Sequence, residues 1–460
     1  MARLIQAGDL SAREATEAHL ARIESANPRV NAFVTVTAEQ ALRTAARADE
    51  AQARGESLGP LHGLPVAHKD LQPTRGIRTT FGSPLFHDFI PDHDSLLVER
   101  IRHAGGIMLG KTNTPEFGAG SQTYNEVFGA TSNPWDTTRT CGGSSGGSAV
   151  ALACGMAALA DGSDLGGSLR NPASFCGVAG LRPSPGRVPA WPVPMAWSPL
   201  TVEGPMARSV ADLALFLSAI AGPDDRAPLS LAESALRFSV PLDRDWKGPH
   251  IAWWKDLGGI PVDSEVRQIT HQQRGIFESL GCIVEEDEPD WEGVDRAFRT
   301  LRFWMTGVRF ADTARQYPHL LKDTLHWEVE QARSLTANDV GTAWLRHTEI
   351  FERMRRFMQR YEFFVLPVSQ LPPFDVTQHY PTQIEGTKME TYIDWMKSCY
   401  YISMTAAPAI SVPCGFTRTG LPVGIQIVGR HRGDFELLQM AHAFEEAAGI
   451  SESAPWQAHR

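Results

Sequence analysis

No stretch of this chain reaches the run of about 20 apolar residues that a membrane helix needs, and the amino terminus is charged and amphipathic, without a signal-peptide core. A membrane partner is therefore not expected. The six cysteines, at positions 141, 154, 176, 282, 399 and 414, form no CxxC pair and no disulfide framework. They read as small buried apolar residues in a reducing compartment, which points to the cytoplasm. HExxH, Walker A and zinc-ligand spacings are missing, so metalloprotease, P-loop and zinc-module chemistry find no motif. The formal net charge of −10 argues against a general nucleic-acid binder. Repeats and low-complexity tracts are also absent. Length alone would suggest about three domains, yet no Pro-, Gly- or charge-rich linker offers a place to divide the chain.

Glycine, by contrast, is concentrated. Ten of the 40 glycines fall between Cys141 and Gly180. Glycine costs backbone entropy in regular elements, so this density implies bare backbone approaching something closely, with N–H groups turned inward. Two serines, Ser144 and Ser168, sit inside the two glycine clusters. Between them Ala149 to Ala160 is apolar nearly all round and built of small residues, the pattern of a buried helix.

The rest of the chain reads as alternating α and β elements. Ser11-Ala-Arg-Glu14 is a capping box for a helix running to about Ala26, before Asn27-Pro28. A second helix is expected over Ala38 to Arg54. Leu64 to Asp70 reads as a short buried strand, Asp94 to Ala104 as a helix and Ile107 to Gly110 as a strand, together a βαβ unit. Further helices are expected over Ser209 to Ile220, Val266 to Leu280 and Asp434 to Ala448, and Val294 to about Arg360 reads as mostly helical. Strands are expected at His250 to Trp254, Cys282 to Val284, Phe363 to Leu366, Ala409 to Val412 and Leu421 to Val428.

A lysine, Lys69, follows the apolar run Leu64 to Ala67. Buried lysine is rare without a partner, and Asp70 beside it offers an ordinary salt bridge. Serine needs a base to become a nucleophile, and neither serine loop contains histidine. A neutral lysine can serve if burial lowers its pKa, and burial can supply shifts of about 3–5 units. Gly142-Gly-Ser144-Ser-Gly146 also fits the G-x-S-x-G elbow of α/β-hydrolases. That reading needs a strand before the serine, where Thr131 to Thr140 is polar, and a late histidine such as His431 or His442.

Lys69, Ser144 and Ser168 together resemble the Ser–cisSer–Lys triad of the amidase signature family. The resemblance covers nearly the whole chain. It is carried by His68-Lys-Asp70, Thr114-Pro-Glu-Phe-Gly118, Asn133-Pro-Trp-Asp136, Gly142-Gly-Ser-Ser-Gly-Gly-Ser148 and Gly162-Ser-Asp-Leu-Gly-Gly-Ser-Leu-Arg170. It continues through Cys176-Gly-Val-Ala-Gly180, Gly204-Pro-Met-Ala-Arg-Ser209, Pro408-Ala-Ile-Ser-Val-Pro413 and Leu421-Pro-Val-Gly-Ile-Gln426. The resemblance implies one α/β domain over 1–460, a single large twisted mixed β-sheet covered by helices on both faces. Within it, 1–58 would form N-terminal helices, 60–225 the catalytic core, and 290–405 a helical, variable substrate-pocket region.

The implied reaction is amide hydrolysis through an acyl-enzyme on Ser168, with Lys69 as base and Ser144, preceded by a cis peptide, as proton relay. Backbone N–H groups of Leu165, Gly166, Gly167 and Ser168 would form the oxyanion hole. Thr123, Tyr124, Asn125, Gly142 and Gly143 would contact substrate, although Thr123 to Asn125 could equally be surface. No metal or cofactor is implied. The partner is a small-molecule amide or carbamate, acting on a monomer or homodimer. Arg170 and Asp164 read as an ion pair bracing the nucleophile loop, Ser145 and Ser148 as loop and cap hydrogen bonders, Ser163 as an orienter of Lys69 or Ser144, and Cys141 as a packed thiol.

The pocket is expected to draw on Ala190 to Leu200, residues 298–350 and Tyr380 to Met404. There Trp191, Trp197, Trp304, Trp327 and Trp395 either make an aromatic wall or belong to ordinary core. Aryl or alkyl amides and urethanes, with related esters, are the favoured substrates. The alternative is the glutaminase subunit of a tRNA-dependent amidotransferase. Met404-Thr-Ala-Ala-Pro408 departs from the Asn/Gly-containing form expected for that role.

Overall fold

A computed structural model describes residues 1–56, 58–450 and 455. Eleven strands form one mixed sheet. In chain order they are β1 (Phe33–Val36), β2 (Pro65–Lys69), β3 (Ile107–Thr112), β4 (Leu159–Asp164), β5 (Ala179–Arg182), β6 (Val202–Ala207), β7 (His250–Trp253), β8 (Ile283–Glu286), β9 (Phe363–Pro367), β10 (Ala409–Phe416) and β11 (Pro422–Gly429). Their spatial order is β1-β3-β2-β4-β6-β5-β10-β11-β9-β7-β8. The strand carrying Lys69, β2, lies between β3 and β4 and is parallel to both. Strand β6 then pairs antiparallel with β4. Every residue of β2, β4, β9 and β11 is buried. That explains why these strands read as continuous apolar or small-residue runs rather than alternating ones.

Helices pack around this sheet, and most begin where the sequence signals them. The capping box forms: Glu14 N–H donates to Ser11 Oγ at 3.0 Å, and Ser11 N–H donates to the Glu14 carboxylate at 2.9 Å. This helix, Ala12–Val30, runs past the expected stop and contains Pro28. In the last turn a proline forfeits one backbone bond rather than a whole segment. The end is secured instead at Asn31, in the left-handed region, while the Asn27 side chain accepts from Ala32 and Phe33 N–H.

Two other expectations are corrected. The apolar stretch Ala149 to Ala160 is not one helix. The helix is Gly146–Ala153, all of it buried, and Leu159 already belongs to β4. Continuous apolarity fits a buried helix and a buried strand equally, so periodicity could not divide them. The helix expected over Val266 to Leu280 is two, Ser264–Gln272 and Arg274–Ser279, parted at Gln273.

Candidate active site

Lys69 ends β2 and its side chain is fully buried. Its Nζ does not reach Asp70, whose carboxylate accepts from Thr80 instead. The amine donates to three hydroxyls: Ser144 Oγ at 2.7 Å, Ser145 Oγ at 2.9 Å and Ser163 Oγ at 3.1 Å. Hydroxyls can donate as well as accept, so this ring of partners suits an ammonium and a neutral amine alike. No carboxylate forms an ion pair with Lys69 among the described residues. Burial lowers its pKa from the ordinary lysine value to about 8, against the raising influence of the Glu203, Asp161 and Asp164 carboxylates.

Tertiary pairing places each of these groups. Asp161, on β4, accepts from the Lys69 backbone N–H at 2.9 Å and contacts the His68 ring, which pins the end of β2 to β4. Ser163 projects from the same strand. Ser144 and Ser145 come from the turn before the helix Gly146–Ala153, where the Gly143–Ser144 peptide is cis. Gly162 of β4 has a specific steric reason: a Cβ there would lie 2.5 Å from Ser145 Oγ. The turn is held from outside by Ser121 Oγ donating to Gly143 O at 2.8 Å and Thr123 Oγ1 donating to Gly142 O at 2.9 Å.

Ser168 lies on the neighbouring loop and is half-buried. Its carbonyl accepts from Ser145 N–H at 3.2 Å, which joins the two serine loops. Its Oγ, in contrast, makes no hydrogen bond among the described residues, so the contact expected between Ser168 and Ser144 is not made in this state. Catalytic contacts of this kind often tighten only with substrate bound.

The loop is braced by a buried charge cluster. Asp164 accepts from Arg170 Nη2 at 2.9 Å and Nε at 3.0 Å, and from Arg182 Nη1 at 3.2 Å. Burial alone would raise the Asp164 pKa, but the two guanidiniums hold it well below the usual carboxylate range. Arg170 further ties the loop to Cys399 O, Gln426 Oε1 and Ser403 Oγ at 2.6–2.9 Å.

This bracing changes the expected oxyanion hole. Gly167 N–H donates to Asp164 Oδ1 at 2.9 Å, so it is already engaged. The N–H groups of Leu165, Gly166 and Ser168 meet no acceptor among the described residues and remain available. Gly167 has φ +120° and a Cβ there would meet Cys399 Cβ at 2.6 Å. It is glycine for conformation and packing, not for access to an anion.

The expected substrate contacts are largely structural. Besides holding Gly142 O, Thr123 Oγ1 accepts from Gly146 N–H at 3.2 Å. Asn125 is spent on Asn113, Thr114, Val127 and Phe128. Gly142 and Gly143 have their carbonyls turned to Thr123 and Ser121. Tyr124 remains half-buried, stacked on His379 with ring centroids 5.0 Å apart.

The five tryptophans do not gather into one wall. Trp395 is core, stacked on Phe175. Trp327 packs on Phe303, Trp304 on Trp344, and Trp191 beneath Arg226, while Trp197 is 77% exposed. The elbow reading fails on geometry. No named strand precedes Ser144 between Thr131 and Thr140, His431 Nδ1 contacts Ala406 O, and His442 faces Glu446. Cys141 is a buried thiol, its pKa pushed up to about 12 by burial.

Three residues of the site escaped the sequence reading. Ser145, expected as a loop and cap hydrogen bonder, does bond the Ser163 backbone, but its side chain caps no helix and it also receives the Lys69 amine. Asp161 and Glu203 sit on β4 and β6, and only the pairing of those strands with β2 brings them to Lys69. The Ser-Ser pair at 144–145 was the one legible signal for any of them.

The amidase family model matches residues 14–438. An acylamidase of Rhodococcus erythropolis is 37% identical over 469 residues, covering 99% of this chain and 96% of that protein. A glutamyl-tRNA(Gln) amidotransferase subunit of Synechococcus sp. (strain CC9605) is also 37% identical, covering 98% of this chain and 96% of its own. Among solved structures, a bacterial aryl acylamidase of the amidase signature family superposes with a TM-score of 0.92 at 28% identity, covering 98% of this chain and 96% of that one. With its mixed eleven-stranded sheet and a buried lysine set among serines, this chain belongs to the amidase signature family.

Proposed function

We propose that this protein hydrolyses the C–N bond of small-molecule amides through an acyl-enzyme on Ser168. The observation that carries the reading is Lys69 Nζ, buried and 2.7 Å from Ser144 Oγ, with hydroxyl partners and no carboxylate counter-ion among the described residues. Neutral Lys69 takes the Ser144 proton, and Ser144 takes the Ser168 proton as Ser168 Oγ bonds to the carbonyl carbon. The developing oxyanion is met by N–H groups of Leu165, Gly166 and Ser168, and one such donor is typically worth about 2.7–4 kcal/mol. On collapse the C–N bond breaks and Ser144 returns the proton to the leaving nitrogen. Water, deprotonated along the same route, then releases the acid from Ser168.

The substrates favoured are aryl or alkyl amides, extending to carbamates and esters. The acylamidase relative and the aryl acylamidase structure support an acyl amide. We place the enzyme in the cytoplasm as a monomer or homodimer; the six buried free cysteines fit a reducing compartment. A second reading, glutamine hydrolysis within an amidotransferase complex, is favoured by the relatives named as glutamyl-tRNA(Gln) amidotransferase subunits. The purified chain, assayed alone on an aryl amide, an aryl carbamate, an aryl ester and glutamine, separates the two. Turnover of the aryl amide by the isolated chain is the expected result. Glutamine turnover with no aryl amide turnover would overturn the proposal in favour of the second reading.

A further inference from the structure

We infer that the Glu203 carboxyl is the second proton holder of the Lys69 site, a positioning residue that sets the protonation state in which Lys69 meets Ser144. The inference rests on Lys69 being the base, as proposed above.

The geometry begins with strand register. Glu203 on β6 lies directly opposite Ser163 on β4 in an antiparallel pair. Opposed residues share a face of the sheet, with Cβ atoms about 4.5–5.5 Å apart. Ser163 is one of the three hydroxyls that receive the Lys69 amine. From the other side, Gln72 reaches Glu203, its Nε2 donating to Glu203 Oε2 at 2.7 Å. Gln72 is itself anchored to Lys69, its backbone N–H donating to Lys69 O at 3.0 Å, and its amide oxygen is fixed by Ser95 Oγ at 2.8 Å. Glu203 is thus bracketed by two residues that both touch Lys69, without forming an ion pair with it.

The charged groups facing Lys69 divide by what they already hold. Asp164, beyond the end of the amine's own ring of partners, is committed to Arg170 and Arg182. Asp161 is committed to the His68 ring and the Lys69 backbone N–H. Glu203 has no cationic partner among the described residues, and its one hydrogen bond comes from a neutral amide. Such a carboxyl can carry its proton or yield it. Glu203 is half-buried; desolvation raises its pKa, with the Lys69 charge pulling the other way, while burial lowers that of Lys69, so the two titrations are drawn toward each other. Two groups in one range and within each other's field titrate as a pair. With the proton on Glu203, Lys69 is a free amine ready to accept from Ser144. With Glu203 ionised, its charge favours the ammonium, so the free amine appears only at higher pH.

The test is kcat/KM against pH for wild type, Glu203→Gln and Lys69→Arg. Wild type should show an acid limb broader than a single titration. Glu203→Gln removes the charge and keeps the shape, so its limb should sharpen to a single-group curve and move about one unit toward acid, the size expected for loss of one nearby charge. A limb that stays within about 0.3 unit of wild type would overturn the inference whatever happens to the plateau, because loss of a nearby charge must appear in the position of the limb and not only in its height. If Glu203→Gln does not fold, Gln72→Met replaces it. Without its donor the Glu203 carboxylate is less stable, so the limb should move in the same direction by less, and an unmoved limb overturns the inference equally. The two failures are distinguishable. A Lys69→Arg enzyme with wild-type kcat removes the base assignment itself, whereas an inactive Lys69→Arg with an unmoved Glu203→Gln limb removes only the role of Glu203.

Discussion

Replacing Lys69 with Met tests the buried amine twice, once through activity and once through stability. The side chain is fully buried, and its pKa is brought from 10.5 to about 8 by that burial. At pH 7 a group of that pKa is neutral in about 10% of molecules, so wild-type kcat/KM should rise about tenfold between pH 7 and its alkaline plateau. Lys69→Met keeps the apolar stem and removes the base, and the loss, mainly in kcat, should be at least about 10²–10⁴-fold. Stability carries an independent sign. The folded pKa lies below the unfolded one, so the unfolded chain binds a proton that the folded chain refuses between pH 10.5 and about 8. Wild type therefore loses stability as pH falls through that window, by up to about 3 kcal/mol, and the loss is constant below it. The Met variant has no such titration. Its three orphaned hydroxyls cost a pH-independent amount, so the readout is the slope and not the absolute value. Unfolding free energies from urea titrations at several pH values between 7 and 10 should show wild type gaining stability relative to the Met variant as pH rises. Parallel curves over that range would refute the claim that Lys69 is buried with a depressed pKa.

Four further outcomes are expected. Ser168→Ala should abolish turnover and leave the melting temperature within a few degrees of wild type; with a slow substrate, intact-mass and peptide mapping should place the acyl adduct on Ser168, and an adduct on Ser144 would reverse the assignment. Ser145→Ala removes one of the three hydroxyls on the Lys69 amine and should reduce kcat more than it raises KM, measured by steady-state kinetics on one aryl amide. Single His431→Gln and His442→Gln variants should keep most of the activity, since both rings face other partners; a loss of several orders of magnitude in either would count against a lysine base. Arg170→Met leaves Asp164 with half its compensation in a dry site, so chemical denaturation should report destabilisation of about 3–5 kcal/mol, as for other broken buried pairs.

Much of this was legible in the chain itself. Periodicity and caps located most of the long helices and seven of the eleven sheet strands, because an amphipathic or continuously buried segment writes its period into the sequence. Strands β1, β4, β5 and β6 were not anticipated, since short segments, or those rich in Gly and small or polar residues, carry no such period. Other exceptions were local. Pro28 sat inside a helix because the last turn tolerates it, and Ala149 to Ala160 concealed a helix-to-strand change because both parts are buried on all sides. The glycine clusters, the isolated Lys69 and the absence of histidine near the serines were enough to nominate Lys69, Ser144 and Ser168 and to argue for a lysine base. The family likeness then supplied their roles.

The tertiary structure decided what the chain order could not. Whether Lys69 paired with Asp70 or faced serines depended on how β2 sits between β3 and β4, a matter of sheet order. That Gly167 N–H is spent on Asp164, and that Thr123 and Asn125 brace loops, depended on which acceptor each donor met first in space. Asp161 and Glu203 became part of the site through strand pairing, and Ser145 through the turn before the helix Gly146–Ala153, all of them distant from Lys69 in the chain. A sequence records which residues are buried and which backbone positions must be glycine, because those demands are local. It does not record which buried polar group completes another's hydrogen bonds, because that is settled by register and sheet order across the whole fold.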